Sequence, residues 1–102
     1  MDKTSFNTIE KGCLYALPQY KVNQVGIQPT GEFVYIPFIR GSKDPNEAVD
    51  RQEGILHETL LAMILADLEY KNKLVPSREG SLAITNVEQA LLWLQRRQQK
   101  RE

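Results

Sequence analysis

The sequence predicts an α+β protein: an N-terminal antiparallel β-hairpin or small sheet followed by an antiparallel helical hairpin. Three observations carry that prediction. Runs rich in Val, Ile, Phe and Tyr flank a Pro-Thr-Gly turn signal in the first 40 residues. A long Leu-rich segment with helical spacing follows, and then a second helical segment opens on Pro-Ser and ends in arginines. A length of 102 residues suits a single domain, with a β-rich part over 1–45 and the helical hairpin over 46–102.

Residues 1–17 are weakly patterned and are expected to include a mobile start. From Tyr20, "YKVNQVGIQ" and "EFVYIPFI" read as strands, with the hairpin turn across Pro29 to Glu32. Pro37 interrupts the second run, which places it at a sheet edge or a bulge because proline cannot donate to the ladder. Phe33 and Tyr35 point to one face while Val34, Ile36 and Phe38 point to the other, so both faces call for cover.

After the loop "RGSKDPNE", in which Asp44 or Asn46 is placed to cap, the spacing predicts helix one over about Glu47 to Lys73. Leu56, Leu60, Met63 and Tyr70 form one stripe, and Leu61, Ile64, Leu65 and Leu68 widen it until the helix is apolar nearly all round. A helix of that kind is buried on several sides, and in so short a chain the extra cover is expected to be another subunit. Helix two starts with Ser77 as N-cap behind Pro76. Ile84, Val87, Leu91 and Leu94 form the stripe that packs on helix one, with Ala83 and Ala90 allowing close approach.

Charge and cysteine content narrow the function classes. Lys plus Arg equals Asp plus Glu at 13 each, which argues against a protein drawn as a whole to nucleic acid or an anionic membrane. The C-terminal segment is nonetheless basic: from Arg78 onward Arg78, Arg96, Arg97, Lys100 and Arg101 outnumber Glu79, Glu88 and Glu102. Cys13 is the single cysteine, which leaves no intramolecular disulfide and suits a reducing compartment. The N-terminus has no apolar signal-peptide core, and the longest apolar run, Leu60 to Ala66, is too short to span a bilayer. A cytoplasmic protein is expected.

No catalytic apparatus is visible. "HETLL" at His57 begins like a zinc-protease motif but has Leu61 where the second histidine belongs, so His57 reads as a partly buried polar residue. Cys13 has no local activating partner and reads as a small buried thiol. Glu53 with His57, and Asp67 with Lys71, read as ordinary helix-surface pairs. No cofactor or metal is called for.

Helix two differs from a plain surface helix. Arg78, Leu82, Thr85, Gln89, Trp93 and Arg96 fall along one line of it, with Asn86 and Arg97 beside that line. Hydroxyl, carboxamide, indole and guanidinium groups together can bond a ring edge, stack a base and neutralise phosphate. The bland alternative is a core Trp93 and a solvated run Arg96 to Arg101 that complements the helix dipole.

The words "SREGSLAITNVEQALLWLQRR" resemble the motif R-E-x-x-L-A-I-T-x-x-E-x-A-L-x-W-L of the helical-hairpin domain shared by Thoeris anti-defence protein one and anti-CBASS protein two. "LHETLLAMILADLEY" is similar to that family's first hairpin helix. The resemblance covers about half of the chain, and the β-rich N-terminal part fits the Thoeris branch better. It implies a phage protein acting in the host cytoplasm as a sponge, which binds immune signalling nucleotides without degrading them. The implied ligands are glycocyclic ADP-ribose isomers or cyclic di- and trinucleotides, and the implied assembly is a dimer or hexamer. It further implies that Arg96 and Arg97 meet phosphates, that Thr85 and Asn86 read base or ribose edges, and that Arg78 clamps the ligand or forms a structural ion pair. Arg101 is a further candidate. Gln89 replaces the commoner second acid of the motif, and Val75 stands where several relatives carry an aromatic ring. The competing reading is a small oligomeric adaptor that uses the basic C-terminal helix to bind a protein or nucleic acid.

Overall fold

The computed structural model describes residues 3–41 and 52–101, and its contacts divide the chain into two compact units, Met1–Ile55 and Leu56–Glu102. The first is a three-stranded antiparallel meander of β1 (Asn7–Glu10), β2 (Leu14–Asn23) and β3 (Gly26–Pro37), in the order β1-β2-β3. The second is a helical hairpin of α1 (His57–Leu74) and α2 (Arg78–Arg101). This is the α+β order expected from the sequence.

Residues 7–17 hold more regular structure than their weak pattern suggests. They supply β1 and the first four residues of β2, and both buried side chains of the described residues, Cys13 and Ala16, lie there. A turn at Gly12, whose φ of 89° is open to glycine, reverses the chain between the two strands, and the Cys13 N–H donates to the Glu10 carbonyl at 3.1 Å. Short polar strands such as "NTIE" carry little periodicity, so pairing rather than pattern defines β1.

The main hairpin turns at Asn23–Gly26 and not at Pro29–Glu32. Asn23 pairs with Gly26, the Asn23 Oδ1 accepts the Val25 N–H at 2.9 Å, and Gly26 has a φ of 122°. Pro29 pairs with Tyr20 and Phe33 with Pro18, so Thr30, Gly31 and Glu32 stand opposite Gln19 alone. The Pro-Thr-Gly signal therefore makes a bulge within β3: Gly31 takes a φ of 90°, and Thr30 Oγ1 accepts the Glu32 N–H at 3.1 Å. Turn chemistry identifies a bend in the backbone, and the bend here lies inside a strand. Pro37 ends β3, an edge strand of the sheet, as its missing donor requires.

Helix one begins ten residues later than its spacing predicts. Residues 52–56 are extended: Ile55 and Gln52 pair with the backbone after β3, with Ile39 N–H to Ile55 O at 3.0 Å and Arg40 N–H to Gln52 O at 3.0 Å. Gly54 makes this possible because a Cβ there would overlap the Phe38 and Ile39 backbone. Asp44, Asn46 and the expected start at Glu47 lie outside the described residues, while the observed cap position is Leu56, with no side-chain cap bond. Glu53 consequently stands outside the helix and is no i,i+4 partner of His57, which is the exposed first residue of α1.

This closure also places the single cysteine. Cys13 Sγ donates to Gln52 Oε1 at 3.3 Å, Arg40 pairs with Glu10 at 2.7 Å, and Phe6, Tyr15 and Phe38 stack edge to face with centroids 5.8 Å apart in each pair. Burial pushes the Cys13 thiol above its ordinary value; nearby Glu10 pushes the same way and Arg40 opposes it. It is an inert buried thiol, as its surroundings in the sequence suggest.

In the second unit, Ile84, Val87, Leu91 and Leu94 are, with Gly80, the half-buried positions of α2, and the four apolar ones are those expected. On α1 the half-buried positions are Glu58, Leu60, Leu61, Leu65, Leu68 and Asn72, whereas Leu56, Met63 and Tyr70 are exposed. The wider flank of the helix thus supplies most of the seam, and of the stripe read from the sequence only Leu60 is half-buried while Leu56, Met63 and Tyr70 face outward. No residue of α1 is buried, and Ala83 and Ala90 also remain exposed beside a seam centred on the larger side chains. Asp67 and Lys71 form the expected surface pair at 2.7 Å.

Candidate functional site

The line of polar residues on α2 is held by the way the helix begins. Ser77 is its N-cap: Ser77 Oγ accepts the Gly80 N–H at 2.9 Å, satisfying one of the free donors of the first turn. Asn72, the last half-buried position of α1, clamps this turn from the other helix. Its Oδ1 accepts the Ser77 N–H at 3.2 Å and its Nδ2 donates to Ser81 Oγ at 3.2 Å. The register between helices, and with it the direction of the α2 polar face, rests on this network.

Gly80 leaves the room the network needs. A Cβ at residue 80 would overlap Asn72 Oδ1 and lie 2.8 Å from Ser77 Oγ. Glycine to alanine in a helix normally stabilises by up to about 1 kcal/mol. Here the sign reverses: Gly80→Ala is expected to destabilise the hairpin by about 1 kcal/mol, because it costs the Asn72 bonds and strains the cap. Urea midpoints check this, and in an Asn72→Ala background the same substitution becomes neutral or stabilising.

α2 presents Arg78, Leu82, Thr85, Asn86, Gln89, Trp93, Arg96 and Arg97 on exposed positions. Trp93 is 68% exposed, which excludes the reading of it as a core residue of this chain. The Arg96 guanidinium lies over its ring, with Cζ 5.8 Å from the centroid, a contact worth about 0.5–1 kcal/mol at an exposed site. Arg78, Arg96 and Arg97 have no carboxylate partner among the described residues, so the expectation of an ion pair at Arg78 finds none there. Arg101 ends α2, and its side chain lies outside the described residues.

Thr85 and Asn86 are partly engaged with their own helix. Thr85 Oγ1 donates to the Ser81 carbonyl at 3.1 Å and Asn86 Nδ2 donates to the Leu82 carbonyl at 2.9 Å. What they can offer a ligand is therefore the Thr85 oxygen as acceptor, and the Asn86 Oδ1 and second N–H. An open depression beside Trp93 is lined by Gln89, Leu92, Trp93, Gln95, Arg96 and Gln99. Leu92, Gln95 and Gln99 escaped the sequence reading, although Leu92 stands three residues from Gln89 and Gln99 three from Arg96 on the same helix.

Among the described residues no group of three or more His, Cys, Asp or Glu side chains could hold a metal ion, and no helix is long and apolar enough to cross a membrane. Val75, at the α1–α2 junction, is exposed and aliphatic.

The wider comparison agrees with the motif. A 50-residue stretch is 42% identical to Thoeris anti-defense 1 of Bacillus phage SBSphiJ7, covering 48% of this chain and 35% of that protein, so the chain spans about a third of that relative. Residues 37–99, which contain the Gly54 closure, α1 and all but the last two residues of α2, match the hairpin domain of Acb2/Tad1. The chain belongs to the Acb2/Tad1 hairpin family.

Proposed function

We propose that this protein is a phage anti-defence sponge: it binds cyclic nucleotide immune signals of the host, either glycocyclic ADP-ribose isomers or cyclic di- and trinucleotides, and holds them unaltered. Kinship with Thoeris anti-defense 1 gives the biological setting. The observation that carries the reading is the exposed line on α2, in which guanidinium groups without carboxylate partners among the described residues alternate with an indole and carboxamides. Such a surface meets both the charge and the ring of a nucleotide.

Sequestration also sets an affinity requirement. Holding a nanomolar signal takes about −12 kcal/mol, which exposed arginines screened by water and salt do not supply. A pocket closed by a second subunit supplies it by desolvating the phosphates between preorganised donors. Apolar side chains are available for such a contact: Met63 and Tyr70 on α1 are 61% and 63% exposed. The site is accordingly a property of the oligomer, with Arg78, Thr85, Asn86 and Arg97 joined by Gln89, Trp93, Arg96 and Arg101. Calorimetric titration with a panel of cyclic di- and trinucleotides and cyclic ADP-ribose isomers tests the proposal. Tight binding of at least one member, at protein concentrations where sedimentation shows an oligomer, is the expected result. Binding only to duplex or single-stranded nucleic acid, with a steep salt dependence, would establish the adaptor instead.

A further inference from the structure

We propose that the depression at the β3 bulge is an aromatic cage for a small organic cation that carries a methylated or quaternary ammonium head. The site lies within the first unit and uses none of the α2 residues, so it stands without the nucleotide reading.

Strand register brings the rings together. Pro18 pairs with Phe33 and Tyr20 with Pro29. Between those pairs β2 and β3 each advance by an even number of residues, so all four side chains belong to one face of the sheet. Phe6, just before β1, joins the same depression, with its ring set edge to face against Tyr15 at a centroid distance of 5.8 Å. Phe6 and Phe33 are 57% and 43% exposed, which leaves ring surface open for a ligand. Strict alternation from Phe33 would send Glu32 to the opposite face. The Gly31 φ of 90° re-aims the chain at the bulge, and Glu32 lines the depression with the rings.

Charge and size select the occupant. Among the described residues Glu32 is the only charged side chain of the lining, and no Lys or Arg pairs with it. Aromatic faces are electron-rich and attract a cation within about 6 Å of the ring centroid, so three rings and a carboxylate favour positive charge and repel an anion such as phosphate. The depression measures about 610 Å³, which is room for an organic molecule and too wide to grip a bare metal ion. A primary ammonium fits less well than a methylated one. Each of its three N–H donors needs an acceptor, and the Thr30 hydroxyl oxygen already accepts the Glu32 N–H at 3.1 Å. Methyl groups on nitrogen need none, and they spread the charge over a surface that the rings of Phe6, Tyr20 and Phe33 can cover.

Choline and its uncharged carbon isostere, the alcohol in which a tert-butyl group replaces trimethylammonium, have the same shape and differ in charge alone. The test titrates the intact protein with each and with ethanolamine, the unmethylated amine, and follows the ring-proton resonances of Phe6, Tyr20 and Phe33 by nuclear magnetic resonance. Choline is expected to shift all three rings saturably and to bind about tenfold more tightly than either the isostere or ethanolamine. Glu32 is exposed, so Glu32→Gln leaves the fold in place; it should weaken choline about threefold and leave the isostere unchanged, which a change in folding would not do. Equal binding of choline and the isostere would reduce the site to an apolar cleft and overturn the assignment. Ethanolamine binding as tightly as choline would make it a simple ion pair, and ring resonances unmoved by choline would remove the site altogether.

Discussion

Replacing Arg96 and Arg97 together by alanine is expected to weaken binding of the cyclic nucleotide by about 100-fold or more while leaving the fold unchanged. Each charge-assisted hydrogen bond to a desolvated group is worth about 1.5–3 kcal/mol, so losing two charged side chains moves affinity by at least two decades. Both arginines are exposed on the last turns of α2 and outside the seam formed by Ile84, Val87, Leu91 and Leu94. Surface changes of that kind usually stay within about 0.5 kcal/mol in stability. Calorimetry of the double variant, with circular dichroism and sedimentation as controls, checks both halves of the expectation. Unchanged affinity in a folded, assembled variant would remove these residues from the site.

The second large effect is structural. Gly54→Ala should destabilise the first unit by about 2–3 kcal/mol, because the new methyl would lie 2.6 Å from the Ile39 nitrogen and 2.7 Å from the Phe38 oxygen, both backbone atoms that cannot rotate away. The contrast is Gly31, where a Cβ meets nothing within 4 Å and only the φ of 90° resists it. Gly31→Ala should cost roughly 1 kcal/mol. A second readout follows from the position of Gln52. Loosening residues 52–55 withdraws the cover from Cys13, so its thiol should react with an alkylating reagent at least tenfold faster in Gly54→Ala, and not in Gly31→Ala. Equal thiol reactivity in both variants would show that the Gly54 closure does not guard Cys13.

How much of this was legible in the sequence depended on whether a local signal had only one structural outcome. Ser77 behind Pro76, and the spacing of Ile84, Val87, Leu91 and Leu94, each had one, and the structure has both the cap and the seam. Pro29-Thr30-Gly31 had two, turn or bulge, and only strand pairing decides between them. Residues 52–56 continue the helical spacing of Leu60 and Leu61. They are extended because Gly54 admits the backbone of Phe38, a contact between segments distant in sequence that no periodicity encodes. Of the α1 stripe only Leu60 is half-buried, for a related reason: a helix apolar nearly all round offers several faces, and the partner helix picks one.

The candidate site was legible as residue types and spacing, since Arg78, Thr85, Asn86, Gln89, Trp93, Arg96 and Arg97 are all presented on the exposed surface of α2. What the sequence left out is how that surface is tied down and furnished. Thr85 and Asn86 spend donors on their own helix, Arg96 lies over Trp93, and Gln95 and Gln99 complete the depression. These are side-chain geometries one turn apart, below the resolution of a spacing rule. Asn72 was missed for the same reason, because its two hydrogen bonds join residues on either side of the hairpin turn.

The central claim is that the protein withholds a signal without consuming it, and one experiment addresses both parts. The purified protein is incubated with a cyclic nucleotide that it binds, freed of unbound ligand, and heated to unfold it, and the released molecule is identified by chromatography and mass. Recovery of the same cyclic nucleotide, in amount equal to that bound and able to activate the host effector again, is the predicted result. Release of a linearised or cleaved product, or loss of the bound ligand over time before heating, would contradict the account and make the α2 face part of a catalytic site.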